Sequence, residues 1–308
     1  MSKHVVVGSG PVGTAIARLL AGQGENVVMV TRSGGGPEHP RIERVAADAS
    51  DPRRLTELTQ GAEVLYNCAN PKYTEWEKLW FPMNDSMIAA AKAAGAVYVL
   101  TGNLYVYGPQ PGGHMTENSP LAAVGRKGKV RIRMWRDALQ SGLRTIEVRG
   151  SDYIGAGAIG VFSMLLPSIE KGRTAWAPGD VNQPHSFTYT GDMASTMVTL
   201  ARDERAYGQA WHAPTAPAVT IRELADRYTD LTGAPRLKIR NMPRFAMRTA
   251  GLVVPMAREL AEMDYQFYGP FHLDSSLTER TFGLAPTSLD VGIRETAEDA
   301  KNIAARRM

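Results

Sequence analysis

The chain has 308 residues, 44% hydrophobic and 21% charged, a composition that suits a globular protein with a buried core and excludes a disordered or fibrous one. Its formal charge of +4 is small and dispersed, which gives no basis for a nucleic-acid partner and leaves anionic small molecules as the expected ones. The single cysteine, Cys68, excludes an internal disulfide, no apolar stretch is long enough for a bilayer, and the first strand begins without room for a signal peptide, so a cytoplasmic location is expected.

Val5-Val6-Val7 runs into Gly8, Gly10 and Gly13, and an Ala-, Ile- and Leu-rich helix follows from about Pro11 to Ala21. This is G-x-G-x-x-G between a strand and a helix, the context in which the spacing has chemical meaning. The first glycine turns the chain, the second leaves room for a pyrophosphate against the backbone, and the third lets helix and strand approach. Helix N–H groups and the positive end of the helix dipole then face the phosphates. Gly8, Gly10, Pro11, Val12 and Gly13 are therefore assigned to a dinucleotide diphosphate.

Strand two, Val27 to Val30, leads into Thr31-Arg32-Ser33. An NAD site usually carries a carboxylate there for the ribose 2′-hydroxyl, whereas a 2′-phosphate needs a cation. With no acid in place, Arg32 flanked by two hydroxyls reads as a phosphate clamp for NADP, NAD staying possible; the alternative is a solvated arginine. Gly34-Gly35-Gly36-Pro37 makes a flexible loop suited to closing over the adenosine end.

Strand three, Ile42 to Ala46, precedes Asp48, which fits either an acceptor for an adenine amino group or an N-cap before Asp51-Pro52. Strand four, Val64 to Asn67, ends at Cys68-Ala69-Asn70-Pro71, where open α/β sheets bind ligands, and Ala69 is assigned to the cofactor. Tyr73, Trp76, Trp80 and Phe81 follow at helical spacing, which predicts core packing for most of them; Tyr73 and Trp76 are also placed to line a pocket. A helix from Met83 to Ala94 ends at Gly95, and Val97 to Leu100 is strand five.

The alternation predicts an α/β fold with a doubly wound parallel sheet of the Rossmann type. Strand six spans Arg144 to Arg149, and a helix ends between Met164 and Gly172. Beyond Trp176 the alternation weakens, and only Thr220 to Gly233 gives a clear amphipathic helix, with a capping box from Thr220 to Glu223. The expected division is a dinucleotide-binding domain over 1–175 and a smaller C-terminal substrate-binding region over 176–308, interleaved with the last strands.

From strand five onward the chain resembles the extended short-chain dehydrogenases/reductases, the group that includes UDP-galactose epimerase. Leu100-Thr101-Gly102-Asn103-Leu104-Tyr105-Val106-Tyr107-Gly108 is similar to the family's S-S-S-x-x-V-Y-G segment, and Thr116-Glu117-Asn118-Ser119-Pro120 to its T-E-x-x-P. Val148 to Gly155 resembles the L-R-x-x-x-x-Y-G strand, and Phe187 to Ala194 the F-x-Y-V-x-D-V-A stretch. Extended members usually show G-x-x-G-x-x-G, and Val7 stands at its first glycine.

The resemblance implies a Ser or Thr that holds a substrate oxygen, a Tyr that passes it a proton, and a Lys four residues later that contacts the nicotinamide ribose and lowers the tyrosine pKa. Carried onto this chain, the serine falls on Asn103, the tyrosine on Gly125 and the lysine on Lys129. No tyrosine lies between Tyr107 and Tyr153, so the proton must come from elsewhere. Asn103, holding an oxygen or capping the strand end, Tyr105 as substitute acid, and Lys129, also a cofactor contact, are the catalytic candidates. Asp152, Tyr153 and His185 are second, and His114 fits a solvated loop equally well.

Around Lys129 stand Arg126, Lys127, Arg131, Arg133 and Arg136, a run that reads as the solvated face of a helix. The alternative turns one of them inward to bind an acidic substrate group. The aromatics between Glu259 and Phe271 suit a lid, a packing plug or a dimer contact, and no His, Cys and Asp cluster has metal-ligand spacing. Besides a cofactor held structurally or used cyclically in a non-redox rearrangement, two functions stay open. One is an NADP(H)-dependent oxidoreductase or epimerase acting, as monomer or homodimer, on a small carbonyl, imine or sugar-like substrate; the other is a catalytically degenerate dinucleotide-binding regulator or redox sensor.

Overall fold

The computed structural model describes residues 1–236, 238–245, 249 and 255–305. The chain forms two compact units: Met1–Val106 with Arg126–Arg149 and Met193–Ala213, and Tyr107–Gly125 with Gly150–Asp192 and Pro214–Met308. The chain crosses between these units several times: 107–125 and 150–192 belong to the second, and the strand at 209–212 lies in the first.

In the first unit, β1 (Lys3–Val7), β2 (Asn26–Thr31), β3 (Ile42–Ala46), β4 (Val64–Asn67), β5 (Val97–Asn103), β6 (Thr145–Gly150) and β7 (Gln209–His212) make one sheet. Its order is β7-β6-β5-β4-β1-β2-β3. β1 runs parallel to β2 and β4, β2 to β3, β4 to β5 and β6 to β7. The order reverses at β1, so the carboxyl ends of β1 and β4 flank the crevice where such sheets take ligands. Continuous apolar runs explain the strands: Val5, Val6, Leu65, Tyr66, Tyr98 and Val99 are all fully buried, as strands covered on both faces require.

The helices are α1 (Pro11–Gly22), α2 (Pro52–Thr59), α3 (Trp76–Ala94), α4 (Arg126–Gln140) and α5 (Thr190–Leu200). α3 begins seven residues before the expected Met83 and runs through Pro82. Trp76 and Trp80, one turn apart, bury against Val130 and Met134 of α4, and this packing outweighs the hydrogen bond that the proline removes. Asn67 of β4 donates to the Tyr98 hydroxyl of β5, which donates to Asn84 of α3, both at 2.8 Å. This buried chain ties the end of β4 to the start of β5 and to α3.

The second unit has short parallel pairs, Asp152–Ile154 with Phe187–Tyr189 and Thr174–Pro178 with Lys238–Met242, beside helices Val161–Glu170, Ile221–Thr232 and Leu289–Ala305. Phe162, Leu165, Ile169, Leu224, Tyr228 and Ile293 form its core. The expected capping box is present: Thr220 Oγ1 accepts from Glu223 N at 3.0 Å, and Glu223 Oε2 accepts from Thr220 N at 2.8 Å. The aromatics near Phe271 act here as a packing plug, Phe271 and Phe267 stacking on the buried His185 with ring centres 5.1 and 5.5 Å away.

Candidate functional site

The crevice begins with three glycines in three different situations. Gly8 has φ +106°, and a Cβ on it would strike the Cys68 carbonyl at the end of β4. A Cβ on Gly13 would collide with the Gly8 carbonyl oxygen. On Gly10 it would meet nothing within 4 Å, so this backbone borders open space. α1 starts at Pro11 without a side-chain cap and without an acid in its first turn. Its first-turn N–H groups, Val12 and Gly13 among them, therefore have no intrahelical acceptor and are free to take a diphosphate. These residues fit the group that the glycine spacing implies.

At the adenosine side, Arg32 and Ser33 lie exposed beyond β2, with no acid at the strand end. Thr31 is half-buried and donates its hydroxyl to Gly35 O at 3.1 Å, which ties down the glycine loop. Asp48 is not the cap of α2. That role belongs to Asp51, which accepts from Arg53 N and Arg54 N. Asp48 Oδ1 instead accepts from Ser50 N at 2.9 Å and Ser50 Oγ at 2.7 Å. These bonds, with a smaller contribution from the Arg32 charge, hold its carboxyl below the usual range.

Beyond the glycine turn, β4 ends opposite Leu100 and β5 runs on to Asn103. Ala69 packs half-buried against the Trp76 and Trp80 cluster. Thr101 Oγ1 donates to Cys68 Sγ at 3.4 Å, linking the floor of the glycine turn to β5. Asn103 Oδ1 accepts from Tyr105 N at 3.1 Å, so Asn103 does cap the strand end, and its Nδ2 has no partner among the described residues. Tyr105 is half-buried, and its hydroxyl accepts from Tyr73 Oη at 2.9 Å. Trp76 packs on both phenol rings, 4.9 Å from Tyr73 and 6.1 Å from Tyr105.

The run of cations divides by helical phase. Arg126, Lys129, Arg133 and Arg136 are exposed, whereas Lys127 and Arg131 are buried on the opposite side of α4. Lys129, expected to reach inward, thus stands on the outer face. Lys127 Nζ lies 4.5 Å over the Tyr73 ring. Arg131 stacks over Trp76 and Trp80, at 4.8 and 4.4 Å, and donates to Thr101 O at 3.1 Å. The reading of the whole run as a solvated face is corrected for these two. A signal was present: Lys127 and Arg131 continue the stripe of Val130, Met134 and Ala138 that faces the core.

In the second unit, a Cβ on Gly125 would lie 2.7 Å from Glu262 Oε1, so that side chain fills the space next to the glycine. His185 and Asp152 come together, Nε2 to Oδ2 at 3.2 Å, and His185 Nδ1 is 3.2 Å from Gln266 O. His114 is exposed and pairs with Asp274 at 3.4 Å. Among the described residues, no helix is long and apolar enough to cross a membrane.

A switch-point crevice, a helix N-terminus bare of acids and a glycine turn of this form define a Rossmann-type nucleotide-binding protein. The chain belongs to the NAD dependent epimerase/dehydratase family, whose model matches residues 5–211. It is 23% identical to the 3beta-hydroxysteroid-dehydrogenase/decarboxylase isoform 2 of Arabidopsis thaliana, over 86% of this chain and 53% of that protein, and so spans about half the length of this relative. Its fold is similar to that of the Bacillus cereus UDP-glucuronic acid 4-epimerase, solved with NAD, at TM-score 0.80 and 15% identity over 98% of each chain. The Bordetella bronchiseptica enzyme WbmH, solved with NAD+, matches at TM-score 0.77 and 18% identity, again over 98% of each chain.

Proposed function

We propose that the chain is an NADP(H)-dependent oxidoreductase or epimerase of this family, acting on a small carbonyl, imine or sugar-like substrate in a cytoplasmic, reducing setting. The observation that carries this reading is the open space over Gly10 at the start of α1, between Gly8 and Gly13, whose own Cβ positions are filled by backbone. The bound nicotinamide supplies or accepts a hydride at C4. The chain's own residues do the rest. The turn grips the diphosphate, Arg32 and Ser33 are positioned for a ribose 2′-phosphate, the Asn103 amide holds a substrate oxygen, and Tyr105 passes it a proton.

Fluorescence titration tests this directly. The purified protein is expected to bind NADPH more tightly than NADH, and Arg32→Ala is expected to weaken NADPH about tenfold, roughly 1.4 kcal/mol, while leaving NADH unchanged. Equal losses for the two would reject the phosphate clamp, and no binding of either would reject the reading. A regulator that keeps the dinucleotide and lacks turnover is the second reading. It is favoured by one observation, that Gly125 and the outward Lys129 supply neither half of the family's acid and ribose contact.

A further inference from the structure

We propose that the outer face of a two-stranded edge in the second unit docks on a bilayer surface that carries acidic lipid headgroups. The edge is the parallel pair Thr174–Pro178 and Lys238–Met242, in register from Thr174 beside Lys238 to Pro178 beside Met242. Alternation along the strands divides its side chains. Ala175, Ala177 and Ile239 turn inward and pack with Leu165 and Ile169, so the inner face is already covered. Trp176, Lys238 and Arg240 turn outward and stay exposed, Trp176 at 51%. Lys171 and Arg173 precede the first strand and Arg236 the second, and these two turns adjoin, since a Cβ on Gly172 would lie 3.5 Å from Pro235 Cβ. Arg244 and Phe245 follow the second strand, Phe245 exposed at 71%.

Charge sets this edge apart. The segments 171–176 and 235–245 hold six cations and no acid, and without those six the chain's 35 Lys and Arg would be 29 against 31 Asp and Glu. The positive excess is therefore not dispersed over the surface; it sits here. Exposed arginines elsewhere have acids beside them, Arg44 with Glu38, Arg54 with Glu57 and Arg205 with Asp203. On this edge Arg244 pairs with Asp264 at 3.5 Å, and among the described residues the other five stand in no ion pair. Successive residues on one face of a strand are about 7 Å apart, inside the ~8 Å Debye length, so these cations repel one another. An anionic surface relieves that repulsion.

The aromatic residues decide which kind of surface. The Arg240 guanidinium lies 6.0 Å from the centre of the Trp176 ring, and Phe245 adjoins Arg244. Exposed rings beside exposed cations suit the boundary of a bilayer, where the rings enter the headgroup and upper acyl layer while the cations meet lipid phosphates. Pro178 and Met242, side by side at the end of the strand pair, add aliphatic surface, which acyl chains match and the phosphates of a nucleic acid do not. Docking of this kind needs no spanning segment.

The test is co-sedimentation of the full chain with vesicles, read together with tryptophan emission. Trp76, Trp80, Trp135 and Trp211 are buried, so Trp176 is the indole that reports on this face. Vesicles of phosphatidylcholine with phosphatidylglycerol should carry the protein down and shift its emission to the blue; phosphatidylcholine alone and inorganic phosphate should do neither. Lys238→Gln with Arg240→Gln should weaken the partition about 25-fold, roughly fivefold per cation, and ~1 M salt should abolish it. Arg53→Gln with Arg136→Gln removes the same charge from exposed positions on α2 and α4 and should change the partition less than about twofold. Trp176→Phe should still sediment, without the blue shift. Thermal melts confirm that each variant folds. Equal binding to neutral vesicles, equal losses in the two double variants, or bound protein whose emission stays unshifted would overturn the proposal. So would a wild type that leaves acidic vesicles unbound, and its retention by single-stranded DNA would then assign the face to nucleic acid. None of these outcomes depends on the dinucleotide reading.

Discussion

The two ends of the first unit's crevice are built from different material. Around Gly8, Gly10 and Gly13 the surfaces are backbone: a carbonyl at Cys68, another at Gly8, and the bare first turn of α1. Around Asn103, Tyr105 and Lys127 they are side chains from β5, α3 and α4 that meet only because those elements pack. A backbone cradle for a diphosphate has few solutions, since only glycine fits a closed contact or a positive φ. A proton donor with a neighbouring cation can be assembled from several residues and directions. The difference teaches why the glycine turn follows from spacing along the chain, whereas the surroundings of Tyr105 follow from packing.

The largest expected effect tests how rigid the backbone end is. Cys68 forms the floor of the glycine turn, and burial pushes its thiol up to about 12. A thiol reagent at pH 8 should therefore label native Cys68 about a thousandfold more slowly than the unfolded chain, because only the thiolate reacts. The sign for stability follows. The fold favours the neutral thiol, so this contribution is complete below the unfolded value near 9 and is lost as pH rises toward 12. Labelling as fast in the native protein as in urea would mean that the floor opens.

Gly13→Ala and Gly10→Ala come next and separate two kinds of glycine. The first places a methyl group on the Gly8 carbonyl oxygen, and NADPH affinity should fall more than about a hundredfold with a lower Tm. The second meets open space in the protein, so Tm should stay within ~2 °C while affinity falls roughly tenfold. Calorimetry and fluorescence titration check the pair. Equal changes in Tm would erase the distinction between a packed turn and a ligand-facing one.

Much of the backbone end is legible in the sequence, because strands and glycine turns are set by periodicity and by contacts a few residues apart. Val5 to Gly13, the strand from Ile42 to Ala46 and the capping box at Thr220 all need only local information. The side-chain end is less legible for a physical reason. Moving two residues along a helix rotates a side chain by about 200°, which is why Lys127 is buried and Lys129 exposed although they stand two positions apart. The apolar stripe of Val130, Met134 and Ala138 carries that phase, and the packing of Val130 and Met134 on Trp76 and Trp80, a tertiary fact, fixes it. Pro82 likewise marks a helix start locally and is overridden by Trp76 and Trp80.

Gly102→Ala probes the support beneath the side-chain end. Its Cβ would come within 2.7 Å of Glu147 Cγ and 2.9 Å of Arg149 Cγ, the stems of a buried ion pair whose Arg149 NH2 to Glu147 Oε2 distance is 2.6 Å. Those stems are held by their own pairing and have little room to give. Urea unfolding should show a loss of ~2 kcal/mol. An unchanged midpoint would mean that β5 shifts freely over β6.

The smallest effect sharpens the comparison most, because it asks whether the family's spacing or this chain's packing decides which lysine matters. Lys129 has the motif's spacing but the exposed face of α4; Lys127 lacks the spacing but stands beside Tyr73. An exposed lysine on a helix surface contributes within about 0.5 kcal/mol to stability. Lys129→Ala should therefore leave Tm within ~2 °C of the parent, and NADPH affinity and any turnover within roughly twofold. A tenfold loss of NADPH affinity in Lys129→Ala would return the ribose contact to the motif position. It would also show that α4 turns about its axis when the dinucleotide binds, since one rigid helix cannot point residues about 200° apart into the same crevice.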